Sequence, residues 1–164
     1  SRISQDVMFI KDYWCYLMKF LKLFILTSIL SLVGCSTTPV KYTDSKPVSS
    51  ERVYDAYSKY AQPHQSGSKV IVVRDSGAMG SAGSASLFVN GEIVARLDTS
   101  ESIVLNVGLG DNLFGIAPGT KLSFEADNTE LIEQALLVSP NKTYYYRVTI
   151  DVNKGLILQR TSQI

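Results

Sequence analysis

From residue 69 onwards, short apolar stretches alternate with turn-forming residues, and this pattern constrains the fold more than any other feature. The clearest unit is Ala85–Val89, followed by Asn90-Gly91 and then by Glu92–Leu97. Asn-Gly between two alternating runs is a strong hairpin signal, because both central positions of a type I′ turn need a positive φ. Residues 69–74 form a β-branched run typical of a buried strand.

Further runs predict strands at residues 102–107, 113–116, 121–126, 131–138, 143–152 and 156–159, with a turn at residues 108–112. The run 131–138 also fits a helix, but the hairpin-type link at residues 139–142 favours a strand paired with the next one. Seven to nine short strands predict a mainly β fold, a small antiparallel β-sandwich or open barrel.

One short N-terminal helix is predicted at residues 50–62, before the first strand. Ser50 is a candidate N-cap, and Tyr54, Tyr57 and Tyr60 share a stripe at helical spacing. Such a stripe most often packs on a sheet, and a ligand platform is the alternative. The folded domain is thus expected to span residues 51–164.

Residues 18–34 have the three parts of a secretory signal peptide. Lys19 and Lys22 supply the basic start, and residues 23–33 form an uncharged run. This run is shorter than the approximately 20 apolar residues that a transmembrane helix needs. Residues 1–17 do not fit such a leader, which should begin at Met18. We interpret them as a non-native upstream extension, with a genuine N-terminal extension as the alternative.

The leader ends in Leu32-Val33-Gly34-Cys35, which resembles the lipobox of bacterial lipoproteins. The resemblance implies that the Cys35 thiol carries a covalent diacylglycerol and that cleavage occurs before it. An ordinary signal peptide with an incidental cysteine is the alternative. Because Ser36 rather than Asp follows, the resemblance also implies sorting to the outer membrane, with the domain on the periplasmic face. Residues 35–50, rich in hydroxyls and proline, then predict a flexible tether.

A second resemblance covers residues 69–150. The strand–Asn90-Gly91–strand unit, the later Ala117-Pro118-Gly119 and the turn from Pro140 to Tyr145 resemble the PEGA-type β-domains of bacterial lipoproteins. Asn141 stands where glycine is usual in that pattern. The resemblance implies a small β-sandwich used for interactions in the cell envelope, and it transfers no catalytic residue.

Charge and composition argue against several function classes. From residue 35 onwards, twelve basic residues face thirteen acidic residues, a net charge of −1. A nucleic-acid-binding domain normally has a basic excess, so we expect no such partner. Two cysteines and one histidine make a poor zinc-ligand inventory, and we expect no metal and no cofactor besides the lipid on Cys35.

The glycine-rich loop at residues 75–84 is the most unusual local feature. Its candidate binding residues, with the arginine that precedes them, are Arg74, Asp75, Gly77, Gly80, Ser81 and Gly83. A phosphate-binding loop would need the Lys-Ser/Thr of a P-loop, which is missing. A contact loop for a partner or a simple strand connection remains, and Arg74 and Asp75 could pair with each other or with groups of a partner.

In the predicted strand 143–152, alternation places Tyr144 and Tyr146 towards the core and Tyr145 and Arg147 on the other face. Tyr145 and Arg147 are therefore a second candidate contact patch for protein or glycan. His64 could be drawn into a triad with Ser76 or Ser81, but no motif supports it, and we expect no enzyme. The expected function is a lipid-anchored module that binds an envelope protein, with small-ligand or cell-wall glycan binding as the alternative.

Overall fold

The computed structural model describes residues 37–77, 83–119, 131–151 and 153–162. Within these ranges, nine strands form two sheets that enclose one hydrophobic core. The mainly β fold predicted from the sequence is confirmed, and the fold is a small β-sandwich. The strands are β1 (Lys46–Pro47), β2 (Ser68–Arg74), β3 (Ala85–Val89), β4 (Glu92–Leu97), β5 (Glu101–Val107), β6 (Gly110–Pro118), β7 (Ile132–Val138), β8 (Thr143–Asp151) and β9 (Gly155–Thr161).

The first sheet has the strand order β1-β5-β2-β8-β9, and the second has the order β4-β3-β6-β7. The second sheet is antiparallel throughout. The first sheet is mixed, because β1 runs parallel to β5 and β2 runs parallel to β8. This differs from the expectation of antiparallel pairing alone. Between β2 and β8 the chain forms β5 and the four strands of the second sheet, and β8 then runs beside β2 in the same direction.

The core lies between the sheets and consists of alternate residues of the facing strands. Phe114 on β6 stacks on Tyr146 on β8, with 5.4 Å between the ring centroids. Both rings are almost completely buried. Burial of the Tyr146 hydroxyl raises its pKa, since the charged phenolate would lie in an apolar environment. Tyr144 and Val148 are buried beside Tyr146, as the alternation predicted.

The Asn90-Gly91 turn joins β3 and β4 with positive φ values of 52° and 82°, as the sequence predicted. The Asn90 side chain is tied to the neighbouring strand, because its Oδ1 accepts the Leu113 N–H at 2.8 Å. Its Nδ2 donates to Asn112 Oδ1 at 3.2 Å. Asn112 in turn donates to the carbonyls of Gly108 and Gly110. The predicted turn at 108–112 is therefore shorter, and β6 already begins at Gly110.

The run 131–138 is a strand, as favoured, but its predicted pairing is wrong. β7 pairs with β6 in the second sheet and not with β8. The link after it crosses between the sheets because its polar groups bind the start of β2. Ser68 Oγ donates to the Ser139 carbonyl and accepts the Lys142 N–H, and Asn141 N–H donates to the Gly67 carbonyl. The predicted strand 121–126 lies outside the described residues.

The predicted helix at residues 50–62 is only partly present. It consists of 3₁₀ turns at Ser50–Arg52 and Asp55–Tyr57 and one α-helical turn, α1 (Ser58–Ala61). The helix is interrupted because the segment lies along the edges of two strands rather than on a sheet face. Tyr54 N–H donates to the Val94 carbonyl of β4, and the Tyr57 hydroxyl donates to the Val104 carbonyl of β5.

Near the C-terminal end of β5, Asn106 Nδ2 donates to the carbonyls of Tyr60 and Ala61. Tyr60 is buried in the core and Tyr57 packs against it. These two tyrosines therefore pack against the strands, but at the strand edges and not on a sheet face as expected. The segment 48–61 thus covers one open side of the sandwich, where exposed backbone groups would otherwise invite pairing with another chain.

Replacing Gly91 by alanine should lower the free energy of unfolding by about 1–2 kcal/mol, because a side chain is strained at a φ of 82°. Gly108→Ala is the matched control, since its Cβ would meet open space and its φ is not in the strained range. Urea unfolding of both variants measures the difference. Equal destabilisation by both substitutions would contradict the strain expected for a side chain at position 91.

Candidate functional site

The N-terminal strap, which we define as residues 37–47, crosses the outer face of the first sheet near one end of its strands. Thr37 Oγ1 lies 2.9 Å from Thr149 Oγ1 on β8. Thr38 forms a β-bridge with Ser76, directly after β2. Farther along, the strap reaches β5. The strap thus contacts three neighbouring strands in turn.

At the β5 end, Ser45 Oγ lies at hydrogen-bond distance, 2.7 Å, from Ser102 Oγ. Lys46 and Pro47 pair with Glu101 and Ser102 as β1. The prediction of a flexible tether at residues 35–50 is therefore wrong for residues 37–50. Hydroxyl-rich segments lack an apolar pattern, but these hydroxyls find long-range partners on the sheet. The folded domain starts at residue 37 at the latest, and not at residue 51.

Asp75 is the central polar group beneath the strap. Its side chain is only 3% exposed. Asp75 Oδ1 accepts the Val40 N–H of the strap at 3.1 Å and lies 3.3 Å from Arg147 Nε on β8. The orientation of the Arg147 Nε–H falls outside hydrogen-bond geometry, so the contact is an ion pair. Burial raises the pKa of Asp75, against the opposing effects of Val40, Arg147 and Thr149.

Arg74, the other charged residue at the end of β2, points to the opposite face, as alternation along a strand requires. It is 3% exposed, and it donates to the carbonyls of Leu97 and Gly83. Burial lowers its pKa, partly offset by Asp98 and Glu101. Arg74 thus holds the ends of β4 and of the glycine-rich loop, whereas Asp75 holds the strap.

The remaining predicted residues divide into two groups. Gly77, with a φ of 134°, and the exposed Gly83 are the described residues on the two sides of the glycine-rich loop. Gly80 and Ser81 lie outside the described residues. Tyr145 and Arg147 are half-buried on the outer face of the first sheet. Because Arg147 faces the Asp75 carboxylate, the structure joins Asp75 and Arg147 in one cluster with the strap.

Sequence reasoning missed a second ion cluster at the β4–β5 turn. Arg52 Nη1 lies 2.6 Å from Asp98 Oδ2, and its Nη2 lies 2.5 Å from Glu101 Oε1. Glu101 Oε2 also accepts the Asp98 N–H, which closes the turn. Hydrogen bonding to Glu101 raises the pKa of Arg52. The two carboxylates are therefore counter-ions of Arg52, which fixes the edge segment 48–61 to this turn.

A cleft of about 710 Å³ lies between the strap, the edge segment and β5. Its lining is uncharged and combines hydroxyls with apolar side chains. The lining residues are Tyr42, Thr43, Ser45, Pro47, Val48, Ser50, Val53, Tyr57, Ser102, Ile103 and Val104. Such a surface suits a neutral ligand, because it offers hydrogen bonds and tyrosine rings but no counter-ion.

The geometry separates His64 from Ser76, one of the two serines considered for a triad, and the other, Ser81, lies outside the described residues. His64 precedes β2 and Ser76 follows it, so the seven-residue strand puts them about 23 Å apart along its axis. Within the described ranges, no group of three or more His, Cys, Asp or Glu could hold a metal ion. No helix in the described part of the chain is long and apolar enough to cross a membrane.

Comparison with known proteins gives no relative: no family model, curated protein or solved structure matches the chain significantly.

The pH dependence of stability should report on Asp75. Because its folded-state pKa lies above the ordinary value of 3.8, folding favours the protonated form, and the domain is less stable at neutral pH than it would be with Asp75 protonated. Its contribution becomes more favourable as the pH falls through the raised pKa towards 3.8. Relative to Asp75→Asn, the wild type should therefore gain stability between about pH 7 and about pH 4.

Urea unfolding of both proteins across this range measures the effect. A wild type that loses stability relative to Asp75→Asn on acidification would contradict the assignment, because it would mean a depressed pKa.

Proposed function

We propose that this chain is a lipid-anchored protein of the bacterial cell envelope that acts as a non-enzymatic protein-interaction module. The observation that carries the proposal is the junction at residues 32–37. Leu32-Val33-Gly34-Cys35 resembles a lipobox, and only Ser36 separates Cys35 from Thr37, which is docked on the sheet. A lipid on Cys35 would therefore be attached directly to a folded β-sandwich. We place the protein at the outer membrane, on its periplasmic face.

Two exposed leucines support a protein partner. Leu137 on β7 is 69% exposed, and Leu109, in the turn before β6, is 51% exposed. Val138 pairs with Gly110, so both leucines lie where β6 begins and β7 ends. Exposed apolar side chains at one end of a sheet can form part of an interaction surface. The partner proposed here is another envelope protein, and neither nucleic acid nor a cofactor is part of the proposal.

Binding of a small ligand or cell-wall glycan is the second candidate, and the uncharged cleft favours it. Tyr42 on the strap is 38% exposed at the cleft and could stack on a sugar ring. Of the contact set proposed from the sequence, neither Tyr145, Arg147 nor the described residues of the loop after β2 line this cleft. Saturable binding of soluble muropeptides that is lost in Tyr42→Ala would favour this candidate over a protein partner.

Lipidation can be tested by metabolic labelling with a clickable palmitate analogue. We expect label on the wild-type protein and none on Cys35→Ser, because a serine hydroxyl cannot form the thioether. Cys15→Ser, the substitution of the other cysteine of the chain, is the matched control and should keep the label. Equal labelling of wild type and Cys35→Ser would contradict lipidation at this site.

The protein-partner surface can be tested by exchanging its leucines. Leu109→Gln and Leu137→Gln should leave the melting temperature nearly unchanged, since both side chains are exposed, and should reduce recovery of the cross-linked envelope partner several-fold. Glu133→Gln on the same strand is the control, because its side chain is also exposed but polar. Unchanged recovery with both leucine variants would exclude this surface.

A further inference from the structure

The loops of the sandwich are sorted between two opposite ends. We call one end the anchored end; it contains Thr37, Ser76 and the turn at Asn153 and Lys154. The parallel pairing of β2 and β8 explains this grouping, because both strands finish at the same end and β9 starts there. Arg74 connects the second sheet to this end through Leu97.

Among the described residues, the distal end contains four connections. These are the chain before β2, the Asn90-Gly91 turn, the turn with Leu109 and the link with Asn141 and Lys142. Asn141 N–H donates to the Gly67 carbonyl, and Lys69 N–H donates to the Lys142 carbonyl, so the link lies directly against the start of β2. The nine residues of β8 separate the two ends by about 26 Å.

The chain between a lipid on Cys35 and the anchored end is very short. Cys35 precedes Thr37 by two residues, so their Cα atoms are at most about 7 Å apart. Thr37 itself is held by Thr149 Oγ1 and by the Ile150 carbonyl near the end of β8. A flexible tether of 15 residues would let the domain rotate freely relative to the lipid, whereas this connection spans at most about 7 Å.

We infer that the anchored end of the sandwich rests on the lipid bilayer, with the strands directed away from the membrane and the distal end facing the periplasm. The inference rests on the proposed lipidation of Cys35 and adds the surface that meets the membrane. The strap provides the rigidity, since Val40, Ser45 and β1 fix it to β2 and β5.

This orientation changes the expected use of two surfaces. Gly77 and Gly83, at the two sides of the glycine-rich loop, lie at the anchored end and therefore next to the membrane. Leu109 and Leu137 lie towards the distal end, where a protein partner can reach them. The protein partner is accordingly expected at the distal turns and not at the loop after β2.

Fluorescence quenching in vesicles tests the orientation. Lys154→Cys and Lys142→Cys place a bimane probe in exposed turns at the anchored and distal ends. Cleavage before Cys35 removes Cys15, and the lipid occupies the Cys35 thiol, so each variant has one free thiol for labelling. The full lipoprotein is reconstituted in phosphatidylethanolamine and phosphatidylglycerol vesicles that contain a headgroup nitroxide. We expect several-fold stronger quenching at position 154 than at position 142.

A linker variant with about 15 Gly and Ser residues between Ser36 and Thr37 is the control, since such a linker reaches roughly 20 Å. With this variant, the ratio of quenching at position 154 to quenching at position 142 should fall towards one. Equal quenching at both positions in vesicle-bound, palmitate-labelled protein would overturn the inference while leaving lipidation intact. Absence of label and of vesicle binding would overturn the proposed function and this inference together.

Discussion

The arrangement of this domain depends on the contacts that the Asp75 carboxylate makes with the strap and with Arg147. The carboxylate lies buried at the end of β2, where it accepts the Val40 N–H of the strap and faces the Arg147 guanidinium. A buried carboxylate without such partners would be strongly destabilising. Strap and sheet therefore need each other: the strap buries the carboxylate, and the carboxylate holds the strap. This mutual dependence turns a segment that resembles a linker into part of the fold.

Much of the strand pattern could be predicted from the sequence, because alternation and turn chemistry are local signals. β3 and β4 have the predicted bounds, since Asn90 and Gly91 can adopt the positive φ values that their turn requires. The choice of which strands pair with each other was less predictable. Ser139 and Lys142 resemble a hairpin link, but their hydrogen bonds to Ser68, far away in the sequence, direct the chain into the other sheet.

The candidate site could be predicted only in part, for a related reason. Asp75 and Arg147 were both identified, but their pairing follows from the parallel register of β2 and β8, which has no sequence signature. The strap was missed because hydroxyls such as that of Thr37 find partners more than 100 residues away, and composition alone cannot show this. Arg52 was missed because its acidic partners lie on a distant turn.

Amide hydrogen exchange of the strap tests the central claim most directly. The Thr38 N–H donates to the Ser76 carbonyl, and the Val40 N–H donates to Asp75 Oδ1. If the strap is docked, both amides should exchange much more slowly than in an unstructured chain, and Asp75→Ala should speed the exchange of Val40. Exchange of both amides at the rate of an unstructured peptide in the folded wild type would show a flexible tether and contradict the account.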